Sequence, residues 1–162
     1  MSTTATTEIL AREFAENAHG VQRYGDAPYV THLAAVRAVL SDFGHGGDVV
    51  VAVWLHDVLE DTTVPRQTLE MVFGKGVTDL VWAVTGVGAT RKERNANVYG
   101  KLEASAGGRL LKLADRIANV EASAKNREKL SMYRAEHPRF RAAVYDGFNL
   151  GMWKRLEKAL AA

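Results

Sequence analysis

Apolar residues recur along this chain at intervals of three and four, and strand-like alternation is nearly absent. That period belongs to helices with one buried face. It predicts a first helix over Thr7 to Ala18, burying Ile9, Leu10, Phe14 and Ala18. Pro28 suits the first turn of a second helix, where the N–H that proline lacks has no intrahelical partner anyway. Leu33, Val36, Val39 and Leu40 then mark the buried side of that helix. Gly44 and Gly46–Gly47 interrupt the chain. Val49, Val50 and Val51 are β-branched, but the apolar segment continues through AVWLHDVLED, too long for a typical strand. A third helix is therefore expected over Asp48 to Val58. Pro65 begins RQTLEMVFG, ended by Gly74, and VTDLVWAVTG runs to Gly86. Val87 to Thr90 read as a loop and TRKERNANVYGKLEASA as a polar helix. Gly107–Gly108 read as the break before an amphipathic helix, RLLKLADRIANVEASA. Two or three further helices lie around Pro138 and Gly147–Gly151. The expectation is an all-α fold in a single domain over residues 1–162, with no repeat, low-complexity tract or linker.

Composition narrows the function. Of 162 residues, 47% are hydrophobic and 25% charged, enough apolar content for one core and too much for a disordered chain. There is no cysteine, which excludes disulfides, thiolate metal sites and cysteine nucleophiles. The longest apolar run, Val49 to Leu55, falls far short of the roughly 18 residues of a membrane span. The N-terminus lacks a basic region followed by an apolar run, so it is not a secretory signal. A cytoplasmic protein without a membrane partner is expected. The net charge of +2 does not suggest a nucleic-acid binder. Residues 125–158 carry nine Lys or Arg against four Asp or Glu, interleaved with Tyr133, Phe140, Tyr145, Phe148 and Trp153. Their spacing reads as amphipathic helices closing the core or forming a homodimer contact, in preference to a nucleic-acid surface.

Three features stand out. Asp57, Glu60 and Asp61 are spaced i, i+3, i+4, which puts three carboxylates on one helical face after a strongly apolar run. A helix ending at the surface with its acids in water is the plain alternative. Lys112, Asp115 and Asn119 share a face of an otherwise apolar helix, against the alternative of an ordinary surface pairing of Asp115 with Arg116 or Lys112. His32 lies one turn into the helix after Pro28, where a packed histidine is the commoner reading. Taken together, His32, His56, Asp57 and Asp115 make a mixed nitrogen and oxygen set suited to Mn²⁺, Fe²⁺, Zn²⁺ or Ni²⁺. Consecutive helical residues point about 100° apart, so His56 and Asp57 can converge only near a kink or helix end.

The order His32, His56-Asp57, Asp115 resembles the HD-domain metal-dependent phosphohydrolases. More narrowly, RYGDAPYVTH, LHDVLEDT, FGKGVTDLVWAVTG and LKLADRIANV are similar to the hydrolase domain of the RelA/SpoT alarmone enzymes and to the small stand-alone alarmone hydrolases. The resemblance runs from about Ala11 to Ser123, leaving C-terminal helices over residues 124–162 outside it. It implies one divalent ion, most commonly Mn²⁺, on His32, His56, Asp57 and Asp115, with Glu60 and Asp61 as the catalytic pair. The implied reaction removes the 3′-diphosphate of the guanine nucleotides ppGpp or pppGpp, giving GDP or GTP plus pyrophosphate.

The resemblance further implies that Arg23 meets a phosphate and that Asn119 lies near the ribose and metal. Lys112, one turn before Asp115, either points into the same pocket or is a surface lysine. Arg91, Lys92 and Arg94 are read first as part of a solvated polar helix and second as a 5′-phosphate site. Two departures stand out: Tyr24 replaces the lysine usual after the first arginine, and Leu33 replaces the proline usual after the first histidine. Tyr24 could stack on a base instead, which leaves substrate identity open. The rival readings are an HD phosphohydrolase acting on a nucleoside monophosphate or the 2′-phosphate of NADPH, and a non-catalytic alarmone-binding protein. His19 is read as structural, His45 as a loop residue and His137 as part of a turn.

Overall fold

The computed structural model describes residues 2–162. Nine helices follow one another among them: α1 (Thr3–His19), α2 (Val30–Asp42), α3 (Asp48–Leu55), α4 (Val58–Asp61), α5 (Arg66–Val84), α6 (Arg91–Leu102), α7 (Ala106–Ala122), α8 (Arg127–Val144) and α9 (Leu150–Ala161). Between α1 and α2 a tight antiparallel turn pairs β1 (Arg23–Tyr24) with β2 (Ala27–Pro28), Arg23 opposite Pro28. No helix among the described residues is long and apolar enough to cross a membrane.

The helix α3 lies at the centre of the core. All residues from Val49 to Leu55 are buried, so β-branched side chains are tolerated in a helix because packing on every side outweighs their weak intrinsic preference. It packs against α1, α2 and α5, while α7 packs against α2, α5 and α9. Both α3 and α7 therefore pack on α2, and the chemistry-bearing residues come from α2, α7 and the segment just after α3. Phe140, Met152, Trp153 and Leu156 seal the far side from α8 and α9.

Several expectations need correction. Ala11 and Ala15 hold the buried stripe of α1, while Ile9 and Leu10 are about half exposed. This stripe of α1 packs on α3. Pro28 belongs to β2, two residues ahead of α2, which starts at Val30. Gly74 does interrupt the segment after Pro65, with φ 84° and ψ 168° inside α5. Gly107 and Gly108 do not separate two helices; they form the first turn of α7 behind the cap Ser105, whose side chain accepts from Gly108 N–H. Pro138 and His137 lie inside α8 rather than in a turn.

Candidate active site

The third helix stops at Leu55, and His56 and Asp57 cross a break before the single turn α4. Asp57 has φ −101° and ψ −2°, off helical values, and its carbonyl already accepts Asp61 N–H. This break lets two consecutive side chains point at one place. His56 Nε2 lies 3.1 Å from Asp57 Oδ2 and 3.4 Å from Asp115 Oδ1. His32 Nε2 lies 3.1 Å from Asp115 Oδ1 and 3.6 Å from Asp57 Oδ2. Ligand atoms of His32, His56 and Asp57 fall within 4.8 Å of one another. Asp115 touches both imidazoles, and its oxygens are also held by Asn119 Nδ2 at 2.8 Å and Lys112 Nζ at 3.2 Å.

Two observations test whether these residues fit a metal ion. His56 Nδ1 contacts Val53 O at 2.6 Å, which directs the other ring nitrogen, Nε2, at the carboxylates. That Nε2 is buried and makes no hydrogen bond, the nearby oxygens being out of line with it. A buried polar atom without a partner is costly, and a divalent cation among these oxygens and nitrogens would satisfy it. The protein's own charges point the same way. Burial disfavours a charged His56, but Asp57 and Asp115 outweigh it and raise its pKa well above the ordinary range. Burial likewise opposes ionised Asp57 and Asp115; His56 holds the first below its usual range, and Lys112 with the imidazoles the second. The site is thus an anionic cage that demands positive charge.

Around the cage a cleft of about 200 Å³ is lined by further acids and cations. Glu60 accepts Gly86 N–H at 2.9 Å and lies 3.6 Å from Arg94. Burial raises its pKa above the ordinary value despite the Gly86 hydrogen bond. Asp61 accepts from Gln22 Nε2 at 3.0 Å, and Gln22 in turn contacts His19 Nδ1 at 2.8 Å. His19 also stacks near Tyr29, whose hydroxyl donates to Asp57 Oδ2 at 2.7 Å. Burial and the neighbouring Asp57 push the Tyr29 phenol far up, so it acts only as a donor.

The structure gathers His32, His56, Asp57, Glu60, Asp61, Lys112, Asp115 and Asn119 around this cleft. Lys112 is no free surface lysine; its half-buried side chain sets the ammonium 3.2 Å from Asp115 Oδ2. Tyr24 stacks on the His32 ring, centroids 4.6 Å apart, and donates its hydroxyl to Asn119 Oδ1 at 2.7 Å. Arg23 is not brought in: it is exposed and donates to the Asp26 carbonyl of its own turn. Arg91 and Arg94 keep much of their side chains in solvent on the polar helix α6, as expected, and also line the cleft, while Lys92 lies beside a neighbouring cavity. Sequence reasoning did not place Tyr29 in the site, read Tyr133 only as an aromatic of the C-terminal helices, and passed over Arg116 as a surface partner. Arg116 is 4% exposed, bonded to Glu136 at 2.8 Å and stacked on Phe140. An arginine following Asp115 in an apolar helix was the available signal.

The chain is similar to known proteins in sequence and in fold. An HD domain family model matches residues 11–140. The human guanosine-3′,5′-bis(diphosphate) 3′-pyrophosphohydrolase MESH1 is 32% identical, over 99% of this chain and 94% of its own length. A guanosine-3′,5′-bis(diphosphate) 3′-pyrophosphohydrolase of Aquifex aeolicus is 37% identical over 68% of this chain. The bifunctional (p)ppGpp synthase/hydrolase SpoT of Escherichia coli is 35% identical over 65%. The chain spans only 17% and 16% of the length of these two bacterial relatives. A solved structure of a metazoan SpoT ortholog, described as hydrolysing ppGpp, superposes with TM-score 0.85 and 24% identity over 99% of this chain and 97% of that one. With the His-Asp doublet at a helix break, the helical frame around it and a family match over most of its length, the chain belongs to the HD-domain family.

Proposed function

We propose that this chain is a metal-dependent 3′-pyrophosphohydrolase of (p)ppGpp. The observation that carries the reading is one cleft in which a His/Asp cage, a second acid pair and a wall of cationic side chains face each other. The match to human MESH1 over nearly the whole of both chains supports it.

In this reading His32, His56, Asp57 and Asp115 hold one divalent ion, for which Mn²⁺ suits the mixed imidazole and carboxylate set. When bound, the ion supplies Lewis acidity toward water and a phosphoryl oxygen. Glu60 takes the water proton, its pKa being moved by burial toward the working pH. Asp61, tethered by Gln22, orients the same water. Attack falls on the phosphorus joined to the ribose 3′ oxygen. The P–O3′ bond breaks, leaving a 3′-hydroxyl and pyrophosphate. Arg91 and Arg116 bind the 3′-diphosphate through their guanidinium donors. Tyr24, with its ring on His32 and its hydroxyl on Asn119, flanks the nucleoside side of the cage.

The test is product analysis. Protein with Mn²⁺ and ppGpp is expected to yield GDP plus pyrophosphate, resolved by ion-exchange chromatography. Asp57→Ala should lose metal and activity together, whereas Glu60→Ala should keep metal and lose turnover. Intact ppGpp with metal-loaded wild-type protein would refute the substrate, and normal turnover by Glu60→Ala would refute its role as base.

A further inference from the structure

We infer that Glu136 is a positioning residue, a single carboxylate on α8 that aims Arg91 of α6 and Arg116 of α7 at an anionic group of the substrate. The inference rests on the phosphohydrolase reading above and extends it to the wall opposite the metal cage. Glu136 Oε1 accepts from Arg91 Nε at 2.7 Å, and Oε2 accepts from Arg91 Nη2 at 3.1 Å and Arg116 Nη1 at 2.8 Å. Glu136 does not itself line the cleft; it lines the neighbouring cavity, behind the two arginines that do. Both guanidiniums also lie against the Tyr133 ring, at 5.7 Å and 4.9 Å from its centroid.

Charge balance gives the arrangement its meaning. Lys112 is committed to Asp115, and Arg94 faces Glu60. Arg91 and Arg116 share one carboxylate, so this wall carries one uncompensated positive charge. A guanidinium offers five donors in a fixed fork. Glu136 uses one from Arg116 and two from Arg91, which leaves donors free on each. A diphosphate is the class of group that uses two such forks at once.

Glu136→Gln keeps a neutral acceptor in place. Removal of a negative charge beside an anion site would, by Coulomb attraction alone, tighten anion binding. Positioning demands the opposite. Expected for Glu136→Gln is KM for ppGpp raised about tenfold, in line with a lost charge-assisted hydrogen bond, with kcat within about twofold and metal content unchanged. Pyrophosphate, titrated calorimetrically into the Mn²⁺-loaded protein, should bind correspondingly more weakly. Glu136→Ala should go further in the same direction, and the Gln variant keeps the test open if the Ala variant does not fold. A lowered melting temperature with unchanged KM and unchanged pyrophosphate affinity would reduce Glu136 to a structural ion pair and overturn the inference. Weakened pyrophosphate binding in a protein whose wild type leaves ppGpp intact would uphold Glu136 and refute only the substrate.

Discussion

Replacing Gly108 by alanine tests how α7 is seated. An added Cβ would stand 2.8 Å from Ser105 Oγ, 2.9 Å from Ala83 Cβ and 3.0 Å from Leu102 Cδ2. Ala83 belongs to α5 and has no rotatable side chain, and Leu102 is fully buried, so neither can step aside without moving a helix. Ser105 is the cap whose hydroxyl accepts Gly108 N–H. Alanine improves helix propensity by at most about 1 kcal/mol. Against this stand overpacking at about 1–3 kcal/mol and disturbance of a cap worth about 1 kcal/mol. The net loss is about 1–3 kcal/mol, or roughly 2–12 °C in Tm at this chain length. Gly107→Ala is the matched control. Its Cβ would meet only Leu80, nearest at Cδ2 (2.5 Å), the far end of a partly exposed side chain that can rotate. That variant should stay within about 1 kcal/mol of wild type, propensity offsetting the shift. Because α7 carries Lys112, Asp115, Arg116 and Asn119, Gly108→Ala should also weaken metal affinity. Thermal unfolding by circular dichroism with metal titration reads both. A Gly108→Ala protein as stable as Gly107→Ala would refute the claim that close α5–α7 packing sets the position of Asp115.

Two other outcomes follow from the same structure. A chelator should lower the Tm of wild type and added Mn²⁺ should restore it; metal at about 100 times its Kd adds about 2.7 kcal/mol, which is roughly 5–11 °C. Asp57→Ala should show no such response in the same scans. Glu8 supplies the pH dependence: burial opposes its ionisation, but hydrogen bonds from Arg37 and Trp54 outweigh this and hold its pKa below the ordinary 4.5. A folded pKa below the unfolded one gives stability that is complete above about pH 4.5 and lost as pH falls through the folded value. Unfolding scans from pH 7 to 3 should therefore show a shallower acid loss in Glu8→Gln than in wild type; parallel curves would remove Glu8 from the acid transition.

The helical period by itself determined that this chain is all-α, that Leu33, Val36, Val39 and Leu40 are buried, and that His56 and Asp57 must straddle a helix end to converge. It also put Lys112, Asp115 and Asn119 on one face, because residues three and four apart on a helix are neighbours wherever the helix is placed. Tertiary structure alone decided the rest. It made Ala11 and Ala15, instead of Ile9 and Leu10, the inner stripe of α1 where that helix packs on α3. It turned Gly107–Gly108 from an expected break into a close helix contact. It brought Arg91, Arg116 and Glu136 together across 45 residues of chain, and left Arg23 on its own turn. Periodicity encodes which side of a helix is apolar, but not the distance to the helix it meets, and that distance sets which side chains fit and which charges share a wall.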